Sequence, residues 1–172
     1  LSLGMHKKGS FYDVLTVDRC ALVHPDYNKV LRYTLDFYKE KNLDYYHKMT
    51  REGCLRNLLV RRSLHRINEV SNPELMVCLV TTSGYELYLE EWKQGLFELE
   101  LEAELKSIIS MINDGLADVV KCDSMEILYG TDYITETLFG LEFKISVFSF
   151  FQTNTLSAEV LYGVVRDYIA KE

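Results

Sequence analysis

Residues 55–62 read LRNLLVRR and residues 75–82 read LMVCLVTT, and these two apolar runs decide the fold. Residues 68–73 lie between them, and this stretch, which ends in Pro73, is predicted to form a loop. The pattern predicts two paired strands. Cys54 and Cys78 fall at or in these strands, and free cysteine is commonly buried as a small apolar side chain. We therefore expect both thiols to fill the core.

A hairpin and a helix are predicted upstream of these strands. Residues 2–5 and 11–17 have the β-branched and aromatic content of strands, with the basic turn His6-Lys7-Lys8-Gly9-Ser10 between them. Pro25 suits the first turn of a helix that ends near residues 41–42. One face of this helix is predicted from its spacing: Tyr27, Val30, Leu31, Thr34 and Tyr38.

The acidic segment 86–105 combines two patterns. Its second half alternates like a strand, but glutamate is depleted in strands and favourable in helices. Leu89, Trp92, Leu96, Leu99 and Ala103 also keep a helical stripe. We predict a helix across the segment and assign its acidic face to solvent.

Short strands and a last helix are predicted downstream. Strands are expected over residues 107–112, 125–129, 133–137 and 141–147, and a helix over 155–170. The helix has an apolar face made by Leu156, Val160, Leu161, Val164, Val165 and Tyr168. The elements together predict one mixed α+β domain, with helices packed on a mainly antiparallel sheet.

Composition excludes several classes of protein. With 172 residues, 48% of them hydrophobic and 26% charged, the chain is expected to fold rather than remain disordered. It has no apolar stretch near the roughly 18–20 residues of a membrane helix, so we expect no membrane partner. The net charge of −7 disfavours a surface that is basic all over but leaves a local basic patch open.

Cysteine and histidine spacing gives no metal motif. None of the four cysteines forms a C-x-x-C pair, and the four histidines are never three to five positions apart. The N-terminus lacks the apolar centre of a secretory signal, so we expect reduced thiols in the cytoplasm. Because the first residue is Leu1 rather than methionine, we expect the chain to begin partway through a longer protein.

Several strings, in order, resemble one enzyme family. Ser149-Phe150-Phe151-Gln152-Thr153-Asn154-Thr155, followed by a helix with Glu159 and Tyr162, closely resembles the opening of the catalytic domain in the RNA 5-methyluridine methyltransferases. Further strings resemble the same family in the same order: residues 3–11, 17–20, 53–61, 107–113, 127–134 and 140–146. The sequence departs from the family at Ala21 and Val147, where members usually have proline.

The resemblance implies a domain organisation and an activity. Residues 1–147 resemble the central domain, and residues 148–172 resemble the first strand and helix of the S-adenosylmethionine-dependent methyltransferase domain. Family members methylate C5 of a uridine in 23S rRNA or tRNA: a cysteine thiolate adds to C6, C5 takes the methyl group, and a base removes the C5 proton. The family's glycine-rich loop and nucleophile motif would follow Glu172. We therefore expect no catalytic residue in this chain and no methyl transfer by it alone.

The resemblance also assigns two ligand-binding residues. Gln152 matches the family's glutamine that contacts S-adenosylmethionine, and the alternative is an amide that only caps or bridges the strand-to-helix turn. Cys20 matches the fourth cysteine of a 4Fe-4S cluster in the members that bind one. The other three ligands would precede Leu1, and the alternative for Cys20 is a buried structural thiol.

A basic run is a candidate RNA-binding surface. Lys48, Arg51, Arg56, Arg61, Arg62 and Arg66 share a stretch with a single acidic residue, Glu52. Arginine binds phosphate well, so we predict RNA contacts at Arg56 and Arg61, extended by Lys7 and Lys8 in the first turn. The alternative is an edge strand whose charges prevent aggregation.

Two classes of function therefore stay open. One is part of an S-adenosylmethionine-dependent RNA (uracil-5-)-methyltransferase. The other is a non-catalytic RNA-binding or scaffold module derived from the same fold. A glycine-rich loop and a later cysteine in downstream sequence would favour the enzyme.

Overall fold

The computed structural model describes residues 1–10, 13–17, 19–67, 70–116, 120 and 122–170. In this part of the chain the helices are α1 (Pro25–Glu40), α2 (Leu89–Phe97) and α3 (Thr155–Ile169). The strands are β1 (Gly4–His6), β2 (Val14–Thr16), β3 (Leu55–Arg62), β4 (Arg66–Ile67), β5 (Val70–Ser71), β6 (Glu74–Thr81), β7 (Glu104–Ile112), β8 (Ser124–Gly130), β9 (Tyr133–Leu138) and β10 (Leu141–Ser146).

The main sheet has the order β3-β6-β7-β8. Strands β3 and β6 pair antiparallel, as the two apolar runs predict. Strands β6 and β7 are parallel and are connected through α2, while β7 and β8 are antiparallel. Every residue of β6 is buried, as expected of a strand covered on both faces. The predicted α+β class with mainly antiparallel pairing is confirmed, with one parallel pair at its centre.

The predicted helix over residues 86–105 is wrong in its second half. Helix α2 ends at Phe97, and Glu104 already pairs with Glu74 in the sheet. The buried carboxylate of Asp26 accepts hydrogen bonds from the backbone N–H groups of Glu102 and Ala103 at 3.0 and 3.1 Å. A continuing helix would need those two N–H groups for its own carbonyls, so tertiary contacts override the helix propensity of glutamate.

The two faces of the main sheet bury different clusters. Helices α1 and α2 cover one face, where Tyr38 and Trp92 pack against alternate β6 residues such as Val77. The β9–β10 hairpin covers the other face, where Ile134 and Ile145 pack against Met76, Cys78 and Val80. Cys54 and Cys78 are both fully buried, which confirms their predicted role as apolar filler.

The remaining predicted elements are present with small differences. Strands β1 and β2 form the antiparallel N-terminal hairpin, although Phe11 and Tyr12 of its second predicted strand lie outside the described residues. The predicted loop over residues 68–73 contains the short strand β5, which pairs with β4. In the described part of the chain, no helix is long and apolar enough to cross a bilayer.

Helix α3 forms as predicted, but its apolar face is not covered. Its buried residues are Thr155 and Ala158. The predicted face is exposed along its length: Leu156, Val160, Leu161, Val164, Val165 and Tyr168.

Candidate functional site

The loop between β10 and α3 presents Gln152 to solvent. Val147 and Phe151 pack against the second core cluster and so anchor this loop. The ring centroids of Phe151 and Phe143 are 5.8 Å apart. The hydroxyls of Ser146 and Ser149 are 3.0 Å apart, and the Ser149 hydroxyl also accepts the Ser146 N–H. Gln152 is exposed between these anchors and α3. The loop is therefore ordered, and its glutamine faces outward.

The N-cap of α3 is Asn154 rather than Gln152. The Asn154 side-chain oxygen accepts the Ser157 N–H at 2.9 Å, as an N-cap residue does. The Gln152 amide forms no hydrogen bond within the described residues. Asn154 therefore caps the helix, and the assignment of Gln152 to the cofactor stays a prediction.

Glu136 fastens the start of α3 to the rest of the domain. Its buried carboxylate accepts the Thr155 hydroxyl at 2.7 Å and the N–H groups of Leu64 and Thr137 at 3.0 and 2.9 Å. A buried carboxylate is tolerated when several donors compensate its lost hydration. The end of the Gln152 loop is therefore tied to β9 and to the segment after β3.

Arg56 and Arg61 both donate hydrogen bonds to backbone carbonyls. Arg61 donates to the Val147 carbonyl at 2.9 Å, and burial lowers the pKa of its guanidinium. Arg56 donates to the carbonyls of Asn113 and Gly115, each at 2.7 Å. These contacts hold loops together, and RNA binding by the two residues stays a prediction.

Two other arginines of the basic run, Arg62 and Arg66, pair with acidic groups far away in the sequence. Arg62 lies 3.2 Å from Asp26 and 3.1 Å from Glu102, and Arg66 lies 3.5 Å from Glu159. Burial alone would raise the pKa of Asp26, but the N–H groups of Glu102 and Ala103 and the Arg62 side chain bring it below its ordinary value. No local pattern identifies partners this distant.

Lys7 and Lys8 lie in the exposed turn of the N-terminal hairpin. The turn is closed by the Lys7 N–H, which donates to the Asp13 carbonyl at 2.8 Å, and by Gly9 with a φ of 81°. A glycine suits this left-handed conformation. The ammonium groups therefore extend from an ordered scaffold.

Cys20 is fixed through its backbone to the start of α1. Its N–H donates to the Asn28 side chain at 2.9 Å, and the Asn28 amide donates back to the Cys20 carbonyl at 3.1 Å. Its thiol is partly exposed. The described residues hold no group of three or more histidine, cysteine or acidic residues suited to a metal.

The structure also contains a cleft that the sequence patterns do not predict. It has a volume of about 500 Å³ and lies between the N-terminal hairpin and residues 45–49, beside the start of β3. Its walls include aromatic and basic side chains: Tyr45, Tyr46, His47, Lys48, His6 and Arg56. The run Tyr45-Tyr46-His47-Lys48 is the one sequence signal that could have indicated it.

Sequence comparison identifies relatives along nearly the whole chain. An uncharacterized RNA methyltransferase from Clostridium tetani is 44% identical over 171 residues, which cover 99% of this chain and 36% of that protein. One from Caldanaerobacter subterraneus is 41% identical over 167 residues, which cover 97% of this chain and 36% of that protein. The chain thus spans about a third of the length of these curated relatives. No family model matches it.

A solved structure shares the fold. The crystal structure of Pyrococcus abyssi tRNA (uracil-54, C5)-methyltransferase in complex with S-adenosyl-L-homocysteine superposes with a TM-score of 0.70 at 22% identity. The superposition covers 95% of this chain and 37% of that one.

Proposed function

Since the chain belongs to the family of the RNA methyltransferases that it matches, we propose that it is part of an S-adenosylmethionine-dependent RNA (uracil-5-)-methyltransferase. In this proposal residues 1–147 are the central domain and residues 148–172 begin the methyltransferase domain. The substrate is C5 of a uridine in 23S rRNA or tRNA. The ordered motifs and the fold shared with a tRNA (uracil-54, C5)-methyltransferase support this assignment.

The exposed side-chain amide of Gln152 is the observation that best supports the proposal. Its amide is exposed and forms no hydrogen bond within the described residues, while Asn154 caps the helix. An amide can donate to and accept from the polar edges of S-adenosylmethionine, which supplies the methyl group. Gln152 is therefore the residue of this chain that we assign to the cofactor.

The domain boundary is supported by the packing on either side of it. Val147 is buried in the second core cluster, whereas α3 exposes almost all of its apolar side chains. An uncovered apolar helix fits a segment whose packing partners belong to a different domain.

The two buried thiols of this chain, Cys54 and Cys78, do not suit nucleophilic catalysis. A cysteine that adds to C6 of uracil must reach the thiolate state and the base. Burial raises the pKa of Cys54, and it raises the pKa of Cys78 to about 12. None of the four cysteines lies in the family's nucleophile motif, so we assign the nucleophile and its base to residues outside this chain, and we expect the chain alone to be inactive.

The other ligands follow the same assignment. Cys20 would be one of four thiolates around a 4Fe-4S cluster, and the described residues hold no group of three or more ligands that could bind one. Lys7, Lys8, Arg56 and Arg61 are the proposed RNA contacts.

Free cysteines fit a reducing compartment, and we place the protein in the cytoplasm.

Substitution of Gln152 in the polypeptide encoded by the complete gene tests the proposal. Gln152→Ala is expected to weaken S-adenosylmethionine binding, measured by titration calorimetry, by roughly tenfold for the loss of its hydrogen bonds. Gln94→Ala is the matched control, because Gln94 is an exposed amide on α2. Unchanged affinity in Gln152→Ala would remove this residue from the cofactor site.

A further inference from the structure

We propose that the cleft between the N-terminal hairpin and residues 45–49 binds a nucleotide of single-stranded RNA, an inference that rests on the proposed function. The base would lie against the rings of Tyr45 and His47. The phosphates would lie beside Lys48 and the basic turn of the hairpin. The cleft volume of about 500 Å³ is within the range of small-ligand sites.

The aromatic wall is open to solvent. Tyr45 is 49% exposed, and its ring centroid lies 6.0 Å from that of His47, with the planes at 52°. A large aromatic side chain gains burial when it packs in a core, and Tyr45 belongs to neither core cluster. Exposed rings of this kind stack on unpaired bases in proteins that bind single strands.

The segment that holds these rings is fixed by backbone hydrogen bonds. The Tyr46 N–H donates to the Leu55 carbonyl at 2.8 Å, and the His47 N–H donates to the Glu52 carbonyl at 2.7 Å. Gly53 closes the segment with a φ of 88°, and a Cβ there would lie 1.9 Å from the Tyr45 carbonyl oxygen. Only glycine permits this close approach, so the backbone that carries the rings is held in place before a ligand arrives.

The charge of the cleft is opposite to that of the whole chain. Lys48 and Arg56 line it together with two imidazoles, and Asp13 is the one carboxylate among its lining residues. The Arg56 guanidinium lies 4.4 Å from the Tyr46 ring centroid, which gives the wall a cationic plane. The exposed Lys7 and Lys8 follow His6, which also lines the cleft. In a chain of net charge −7, this local excess of cations favours a phosphate backbone.

Fluorescence anisotropy with a labelled oligouridine of about ten nucleotides tests the inference on the full chain. Tyr45→Ala and His47→Ala are each expected to weaken binding roughly 5- to 100-fold through lost stacking. Lys48→Ala is expected to make the fall of log affinity with log salt concentration less steep, by about 0.7 in the slope. The controls are Tyr129→Ala, on the opposite edge strand β8, and Lys93→Ala on α2, and both should bind as the wild type does.

The outcomes separate this inference from the proposed function. Wild-type affinity in Tyr45→Ala and His47→Ala, both with wild-type circular dichroism, would overturn the cleft as the binding site. Equal weakening by Tyr129→Ala would do the same. Uridine monophosphate that competes as strongly as the oligouridine would identify a free nucleotide as the ligand and overturn the RNA assignment. Each of these results leaves methyl transfer by the complete enzyme to be judged by its own assay.

Discussion

The carboxylate of Glu136 accepts a 2.7 Å hydrogen bond from the hydroxyl of Thr155, which joins strand β9 to the first residue of helix α3. The same carboxylate accepts the backbone N–H groups of Leu64 and Thr137. This buried acidic side chain therefore helps to hold the start of α3, and with it the end of the Gln152 loop.

Replacement of Glu136 should destabilise the fold. Glu136→Ala leaves three donors without their acceptor, so we expect the free energy of unfolding to fall by about 2–4 kcal/mol. Urea unfolding followed by circular dichroism measures the change. Glu126→Ala, at an exposed position on β8, should have little effect. Equal stability of the Glu136 and Glu126 variants would contradict the role of this network.

Asp26 should contribute to stability in a pH-dependent way. Its pKa is lowered in the folded chain from an ordinary value of 3.8, so the unfolded chain binds a proton first as the pH falls. The stabilisation is fully present above the unfolded pKa and is lost as the pH falls through the lower, folded pKa. The stability difference between wild type and Asp26→Asn should therefore shrink below about pH 4.

Chemical denaturation at a series of pH values tests the Asp26 prediction. Asp36→Asn is the control, because Asp36 is exposed on α1. If the difference in free energy of unfolding between wild type and Asp26→Asn grew as the pH fell, the result would contradict the prediction.

The four cysteines should separate into two reactivity classes. Cys54 and Cys78 are fully buried with raised thiol pKa values, whereas Cys20 and Cys122 are partly exposed. Ellman's reagent near pH 8 should modify two thiols rapidly in the native chain and the other two only after denaturation. A single rate for all four would show that the core is not closed around Cys54 and Cys78.

Structural and RNA-binding roles of the basic residues should be separable. Arg61→Ala leaves the Val147 carbonyl without its donor and should lower the free energy of unfolding by about 1–3 kcal/mol. Lys8→Ala should leave the free energy of unfolding unchanged, because Lys8 is exposed. It should make the fall of log affinity for single-stranded RNA with log salt concentration less steep, by about 0.7 in the slope. Thermal unfolding without RNA and anisotropy with RNA distinguish them. If Arg61→Ala and Lys8→Ala had the same free energy of unfolding, the contact between Arg61 and Val147 would not contribute to stability.

Local patterns predicted most of the elements because each depends on its own periodicity. The two apolar runs became the paired strands β3 and β6, and the stripe that became α1 buries Val30, Thr34 and Tyr38 of its predicted face. The error at residues 98–105 has a non-local cause. Asp26, 76 residues before Glu102, accepts the N–H groups that a helix would have used.

The candidate site was less predictable than the fold. Gln152 and its neighbours were identified by a contiguous motif, but the assignment of the cap to Asn154 needed the geometry of the turn. The carbonyl partners of Arg56 and Arg61 lie 57 and 86 residues away in the sequence. The cleft combines the N-terminal hairpin with residues 45–49 and 55–58, which meet only in the folded chain.

The most direct test of the central claim is the product formed by the polypeptide that the complete gene encodes. The enzyme would be incubated with labelled S-adenosylmethionine and with transcripts of 23S rRNA and tRNA, and the digested RNA analysed by mass spectrometry. We predict 5-methyluridine at a defined uridine of one of these RNAs, with less of it formed by Gln152→Ala than by Gln94→Ala. Absence of methylated RNA, or a methyl group on any atom other than C5 of uracil, would contradict the account.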